Sequence, residues 1–233
     1  MKKLHATAII IAVMAMSLSG QAGEAGKHLF ILSGQSNMVR IKPETHFTPI
    51  VAKEFGSNNV TVVKSAWNGT PIRSWYSKSG GKGNRYASLV DAVKEATKGK
   101  TYETATFVWM QGETDAVNGK GSEGPRTYAE SLNGLIDLLK ADLKIDSLNI
   151  VIGRLSDHRM SENWKQMRNI QVEIAEKHKG AWVDTDDLND VEMKDGSKRN
   201  DLHYTPDNRG TLGKRFAEKA IELIKKRIDR KSP

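Results

Sequence analysis

Five short apolar runs alternate with longer segments of helical period, and this alternation limits the possible folds more than any other feature of the chain. The runs are HLFILSG (28–34), NVTVVKSA (59–66), ETATFVWMQGE (103–113), LNIVIGRLSD (148–157) and AWVDTDDL (181–188). Between and after them stand FTPIVAKEFG (47–56), YASLVDAVKEATKGK (86–100), TYAESLNGLIDLLKADLK (127–144), ENWKQMRNIQVEIAEKHK (162–179) and TLGKRFAEKAIELIKKRI (211–228). Brief, nearly continuous apolar strands are those buried on both faces; parallel neighbours need long crossovers, which helices supply. In 47–56, Thr48 reads as the helix cap, Pro49 as a first-turn residue and Gly56 as the stop. In 86–100, Leu89, Val90 and Val93 share one face. The pattern predicts an α/β fold: a three-layer α/β/α sandwich around a central five-stranded, mainly parallel sheet.

The chain of 233 residues is the size of one domain, large enough to bury its own core without disulfides, and it contains no cysteine. Its start, MKKLHATAIIIAVMAMSLSGQA, has two lysines, an apolar run from Ala6 to Met16 and then small residues. That is the layout of a signal peptide, too short for a membrane span, with cleavage expected after Ala22. The expected mature domain is 23–233, exported to the periplasm or beyond without a stable membrane anchor. The net charge of +8 invites a nucleic-acid reading. Removing 1–22 takes two lysines and no acid, and most remaining bases alternate with acids or sit in the C-terminal KKRIDRK. No zinc spacing or aromatic-interleaved basic stripe is present, so a nucleic-acid partner is not expected.

In open α/β sheets ligands bind beyond the carboxyl ends of the strands, so the residues that follow each strand carry the functional reading. These are GQSNM, WNGTPIRSWY, QGETDA, GRLSDH and, before the last helix, NDLHYT. Taken singly, a serine there is most often an N-cap and a glycine a turn residue. Together they provide the parts that acyl transfer needs. Ser36 offers a hydroxyl and its own backbone N–H at a tight turn, Gly69 an unobstructed backbone N–H, and Gln111 a side-chain amide. His203 precedes the final helix, where a loop can deliver its ring to the same rim.

These blocks resemble the SGNH hydrolases, a flavodoxin-like architecture, and more narrowly the sialate O-acetylesterase and carbohydrate esterase family 6 group. GQSNM with WMQGETDA in mid-chain and LHYTPDNRGTLGKRFA near the end carry the resemblance across essentially the whole mature chain. It implies Ser36 as nucleophile, His203 as base, and Ser36 N–H, Gly69 N–H and the Gln111 amide as oxyanion hole. One position departs: the family usually places Asp three residues before its histidine, and here that residue is Asn200. The orienting group therefore stays open between Asp201, one step later, and Glu113, which on an extended segment shares a side with Gln111. Asn200 itself is a third option, able to hold a tautomer but without charge.

For substrate binding, Trp67, Arg73, Trp75 and Tyr76 suit sugar rings and carboxylates, and Arg154 and His158 follow the fourth strand at the same rim; Trp75 reads equally as loop packing. Asp186 and Asp187 lack the companions of a metal site and read as a surface turn. The expectation is a serine esterase that removes O-acetyl groups from carbohydrate, acetylxylan or sialic-acid-like, without metal or cofactor. The rival readings are an inactive carbohydrate-binding relative and an esterase acting on lipid or small esters.

Overall fold

A computed structural model describes residues 27–145 and 147–230; the segment read as a signal peptide, 1–22, lies outside the described residues. The first half runs β1 (His28–Gly34), three helices α1 (Ser36–Val39), α2 (Pro43–His46) and α3 (Thr48–Phe55), then β2 (Val60–Ala66), a short ribbon of β3 (Tyr76–Ser77) and β4 (Gly81–Lys82), and α4 (Asn84–Thr97). The second half runs β5 (Thr104–Met110), α5 (Glu113–Ala116), α6 (Gly124–Leu143), β6 (Leu148–Gly153), α7 (Glu162–Lys177), β7 (Ala181–Val183), a second ribbon of β8 (Asp190–Glu192) and β9 (Lys198–Asn200), and α8 (Pro206–Asp229).

The five expected strands form one sheet in the order β2-β1-β5-β6-β7, and every neighbouring pair is parallel. Helices α2, α3 and α8 pack together on one side, and α4, α6 and α7 on the other, giving the three-layer sandwich. The two antiparallel ribbons escape the sequence pattern because each strand has only two or three residues, too few for a period.

Burial follows position in the sheet. Every residue of β1 and β5 is buried, whereas β2, at the edge, is mostly half-buried. Phe30, Ile31, Leu32, Phe107 and Val108 have no exposed surface, and each such side chain contributes on the order of 1.5–3 kcal/mol.

The caps of α3 and α8 differ from the sequence reading. Thr48 is the first residue of α3 and the cap position is Phe47, without a side-chain cap bond; Pro49 and Gly56 stand where expected. The last helix begins at Pro206, not near Thr211, because Thr205 Oγ1 accepts a bond from Asn208 N (3.3 Å) and Pro206 presets the first turn. The earlier start brings the helix to within three residues of His203.

The strand order reverses direction between β1 and β5, and their carboxyl ends touch. Gln35 N donates to Met110 O (2.8 Å), and Trp67 N donates to Gly34 O (3.0 Å), so the chain after β2 is tied to the same point. Gly34 has φ +145°, and a Cβ there would stand 1.9 Å from Met110 O. Gly34→Ala is therefore expected to cost about 3 kcal/mol or more. Gly69→Ala, with φ +58° but nothing within 4 Å of the added carbon, should cost only about 1–2 kcal/mol. Urea unfolding midpoints of the two variants check both.

Candidate active site

Ser36 opens α1 directly beyond the β1–β5 junction and keeps 6% of its surface exposed. Its Oγ lies 3.1 Å from His203 Nε2 across a separation of 167 residues. The helix that carries Ser36 is one turn long, and its free carbonyls are met by a lysine from the neighbouring strand. Lys64 Nζ donates to Val39 O (3.0 Å) and Ile41 O (2.7 Å), while Arg40 Nη1 donates to Ser36 O (3.2 Å).

Both residues face a cleft of about 290 Å³. Gly69 and Asn68 enter it from the β2 side, Glu113, Thr114 and Val117 from the β5 side, Arg159 from beyond β6, and Leu202 from the histidine loop. A larger cleft of about 490 Å³, beside Trp182 and Arg215, contains no serine, threonine, cysteine or histidine. It lacks a nucleophile–base pair, and the smaller cleft is the candidate site.

Asn37, next to the serine, joins three segments. Its Nδ2 donates to Glu113 Oε1 (2.9 Å) and Leu202 O (3.2 Å), coupling the Ser36 turn to β5's end and to the residue before His203. Asp201 supports the histidine through backbone: its Oδ1 accepts from His203 N (3.3 Å) and its Oδ2 from Arg199 Nη2 (2.8 Å). Among the described residues no acid bonds to His203 Nδ1. Loss of hydration holds the His203 pKa below the ordinary imidazole value. The Arg40 cation adds to this effect, and Asp201 opposes it.

The three options for the orienting group are thus dispersed. Glu113 does not continue an extended strand beside Gln111, because the chain turns at Gly112 (φ +143°) and Glu113 begins α5. It lines the cleft and bonds to Asn37. Asn200 turns away, with Oδ1 3.1 Å from His158 Nδ1 and Nδ2 donating to Asp157 Oδ1 (2.7 Å).

Gln111 is fully buried beneath the cleft. Its Nε2 lies within hydrogen-bond distance of three acceptors, Gln35 Oε1 (3.1 Å), Thr70 O (3.0 Å) and Asp115 Oδ2 (2.7 Å). An amide nitrogen has two hydrogens, so this one has none to spare for an external oxygen without losing a partner. Ser36 and Gly69 are at the cleft; Gln111 supports it from below through Gln35.

The residues expected to bind substrate lie elsewhere. Trp75 is fully buried and its Nε1 donates to Ser33 Oγ (3.1 Å), which is the packing alternative. Trp67 packs edge-on against Trp75 and carries the Arg85 guanidinium 4.8 Å over its ring. Arg73 lines a separate groove with Ser77 and Glu123. Arg154 Nη2 bonds to Asp184 (2.6 Å) and Asp186 (2.9 Å), and its guanidinium lies over Trp182. Asp186 also pairs with Arg168 and Asp187 with Arg215, so this acidic turn is neutralised by arginines. The cleft's own cations are Arg40 and Arg159, which sequence reasoning passed over. Arg40 had a legible signal, since it lies one helical turn after Ser36; Arg159 had none.

A serine–histidine pair thus stands at the carboxyl edge of a five-stranded parallel sheet, at the reversal of strand order, in a three-layer α/β/α sandwich of SGNH type. Residues 39–222 match the family described as carbohydrate esterase, sialic acid-specific acetylesterase, and the chain belongs to that family. Ser36 lies just ahead of the matched span. The fold is similar to that of an Arabidopsis thaliana protein of known structure (19% identity, TM-score 0.62, covering 83% of this chain and 97% of that one). It is also similar to a carbohydrate acetylesterase from Xanthomonas citri (16% identity, TM-score 0.57, 84% of this chain), of which it spans 55%. A Desulfitobacterium hafniense protein assigned to the lipolytic G-D-S-L family shares the fold as well (10% identity, TM-score 0.54, covering 82% and 98%). No curated protein matches the sequence significantly.

Burial pushes the Glu113 carboxyl up to about 7; its bond from Asn37 opposes the shift and nearby Asp115 adds to it. The ordinary value is 4.5, so between there and pH 7 the unfolded chain is ionised at this residue while the folded chain holds the proton. Unfolding then releases a proton, and stability falls as pH rises through that window. Relative to Glu113→Gln, the wild-type protein is expected to lose about 3 kcal/mol between pH 4.5 and 8. Urea unfolding of both proteins at each pH measures it; a pH-independent difference would refute the assignment of a proton to buried Glu113.

Proposed function

We propose that this protein is a serine esterase that removes O-acetyl groups from carbohydrate through an acyl-enzyme at Ser36, and that its N-terminal segment directs it out of the cytoplasm. The observation that carries the reading is the 3.1 Å approach of His203 Nε2 to Ser36 Oγ inside a cleft. Membership of a carbohydrate esterase family supports the acetyl ester as the bond attacked.

In this mechanism the neutral His203 ring, protonated at Nδ1, accepts the Ser36 hydroxyl proton at Nε2 as Oγ attacks the acetyl carbonyl. The backbone N–H groups of Ser36 and Gly69 receive the developing oxyanion. His203 then returns the proton to the leaving sugar hydroxyl, and water, activated by the same ring, releases acetate. Gln111 contributes by fixing Gln35 and the β5 end rather than by donating to the oxyanion. Asp201 fixes the His203 backbone and supplies negative charge nearby without bonding to the ring, so the pair works as a dyad.

Arg40 and Arg159 favour an acidic sugar, such as an O-acetylated sialic or uronic acid, because two guanidinium groups in one cleft suit a carboxylate. Arg159→Ala is expected to raise KM for an acidic O-acetyl sugar about tenfold and to leave a neutral acetylated xylo-oligosaccharide nearly unchanged. Equal effects on both substrates would remove the carboxylate preference.

The decisive assay is acetate release from a panel of acetylated sugars by the wild-type protein and by Ser36→Ala. Turnover should fall by roughly a thousandfold or more in the variant with the circular dichroism spectrum retained; undiminished release would exclude Ser36. A third check is the acid limb of kcat/KM, which should lie below the ordinary histidine value. Arg40→Gln should move it upward, because removing a cation eases protonation of His203.

A further inference from the structure

We propose that Asn200 is a positioning residue for His203, and that the carboxylate fixing this segment stands on the facing loop, at Asp157. The inference rests on the reading of Ser36 and His203 as nucleophile and base. Asn200 ends β9, paired with Asp190 at the base of the ribbon, and two residues, Asp201 and Leu202, separate it from His203. Its side-chain amide is used on both ends. Nδ2 donates to Asp157 Oδ1 (2.7 Å), while Oδ1 accepts from Asn189 Nδ2 (2.8 Å) and faces His158 Nδ1 (3.1 Å). Asn189 is fully buried; its Nδ2 also reaches Asp157 Oδ1 (3.1 Å), and its carbonyl accepts from Asp201 N (2.8 Å).

Donor and acceptor types decide which residue fits at 200. Asp157 Oδ1 accepts at this contact, so its partner must donate; Asn189 Nδ2 donates, so the same partner must also accept. An amide does both. A carboxylate at 200 would remove the amide's donation to Asp157 and set two mutually repelling carboxyl groups at hydrogen-bond distance. The asparagine is therefore the complement of Asp157. The contact locks the end of β9 to the loop after β6. From that lock the chain runs to His203, so its register sets the Nε2–Oγ distance. Misplacement of about 1 Å at a reacting group costs on the order of a hundredfold.

Asn200→Asp is accordingly expected to lower kcat by about a hundredfold and change KM by less than about threefold. The exchange variant Asp157→Asn with Asn200→Asp keeps donor facing acceptor and should recover kcat to within about fivefold of wild type. Hydrogen–deuterium exchange of residues 198–204 should quicken in Asn200→Asp and return to the wild-type rate in the exchange variant. If Asn200→Asp alone does not fold, the exchange variant carries the test, since it must fold and turn over. Equal or higher activity in Asn200→Asp would mean that an acid at 200 reaches His203 directly, and would overturn the proposal. Loss that the exchange fails to rescue in a folded protein would overturn it too. If the wild-type protein hydrolyses no ester, the esterase reading fails while the exchange rates still decide the lock.

Discussion

The carboxyl end of β1 can pass the end of β5 only because residue 34 has no side chain. The backbone closes to hydrogen-bond distance there, Gln35 N to Met110 O, with room for no further atom. Everything at the cleft depends on that approach. It sets the start of the one-turn helix at Ser36, brings the Gly112–Glu113 turn alongside it, and lets Trp67 N tie the loop after β2 to Gly34 O. The ends of three strands thus meet at one point, where the parallel sheet leaves its strand ends uncovered and strand order reverses.

Around that point the protein arranges buried polar groups rather than paired charges. The Gln111 amide nitrogen fills a socket of acceptors, and its backbone carbonyl accepts from Gln171 Nε2 (2.8 Å) and Tyr128 OH (3.0 Å), so β5 is anchored to α6 and α7 below the cleft. Glu113, largely desolvated, accepts at Oε1 from Asn37 Nδ2, and its other oxygen has no partner among the described residues. Polar groups in such surroundings are costly unless fixed in place, which makes the arrangement stiff as well as expensive. His203 fits the same scheme: loss of hydration and neighbouring cations favour the neutral ring, the form a base requires.

Much of the architecture was legible because it rests on local pattern. The apolar runs at 28–34, 59–66 and 103–113 do form strands of the sheet, fully buried in β1 and β5 and half-buried at the β2 edge, and Leu89, Val90 and Val93 do face the core. Ser36 and His203 were legible as chemistry-bearing residues at strand ends and loop edges. Legibility failed where a side chain had two possible partners. Trp75 carries an indole that suits a sugar ring as well as it suits a core, and Ser33 and Trp109 took it. Arg154 was drawn to Asp184 and Asp186, whereas Arg159, five residues on, reached the cleft. The reading of Glu113 beside Gln111 failed at a single glycine, since a left-handed turn at Gly112 converts strand into helix.

The sequence by itself determined the strand–helix alternation, the parallel sheet, the strand ends as the place for a site, and the candidate serine and histidine. Those follow from periodicity and from residue chemistry, both of which are local properties. Tertiary structure alone decided which acid, amide and cation stand near the pair: Asn37 between Glu113 and Leu202, Gln111 beneath rather than within the cleft, and Asn200 facing Asp157. Hydrogen bonds between segments more than forty residues apart depend on where three loops converge, and no one-dimensional pattern records that convergence.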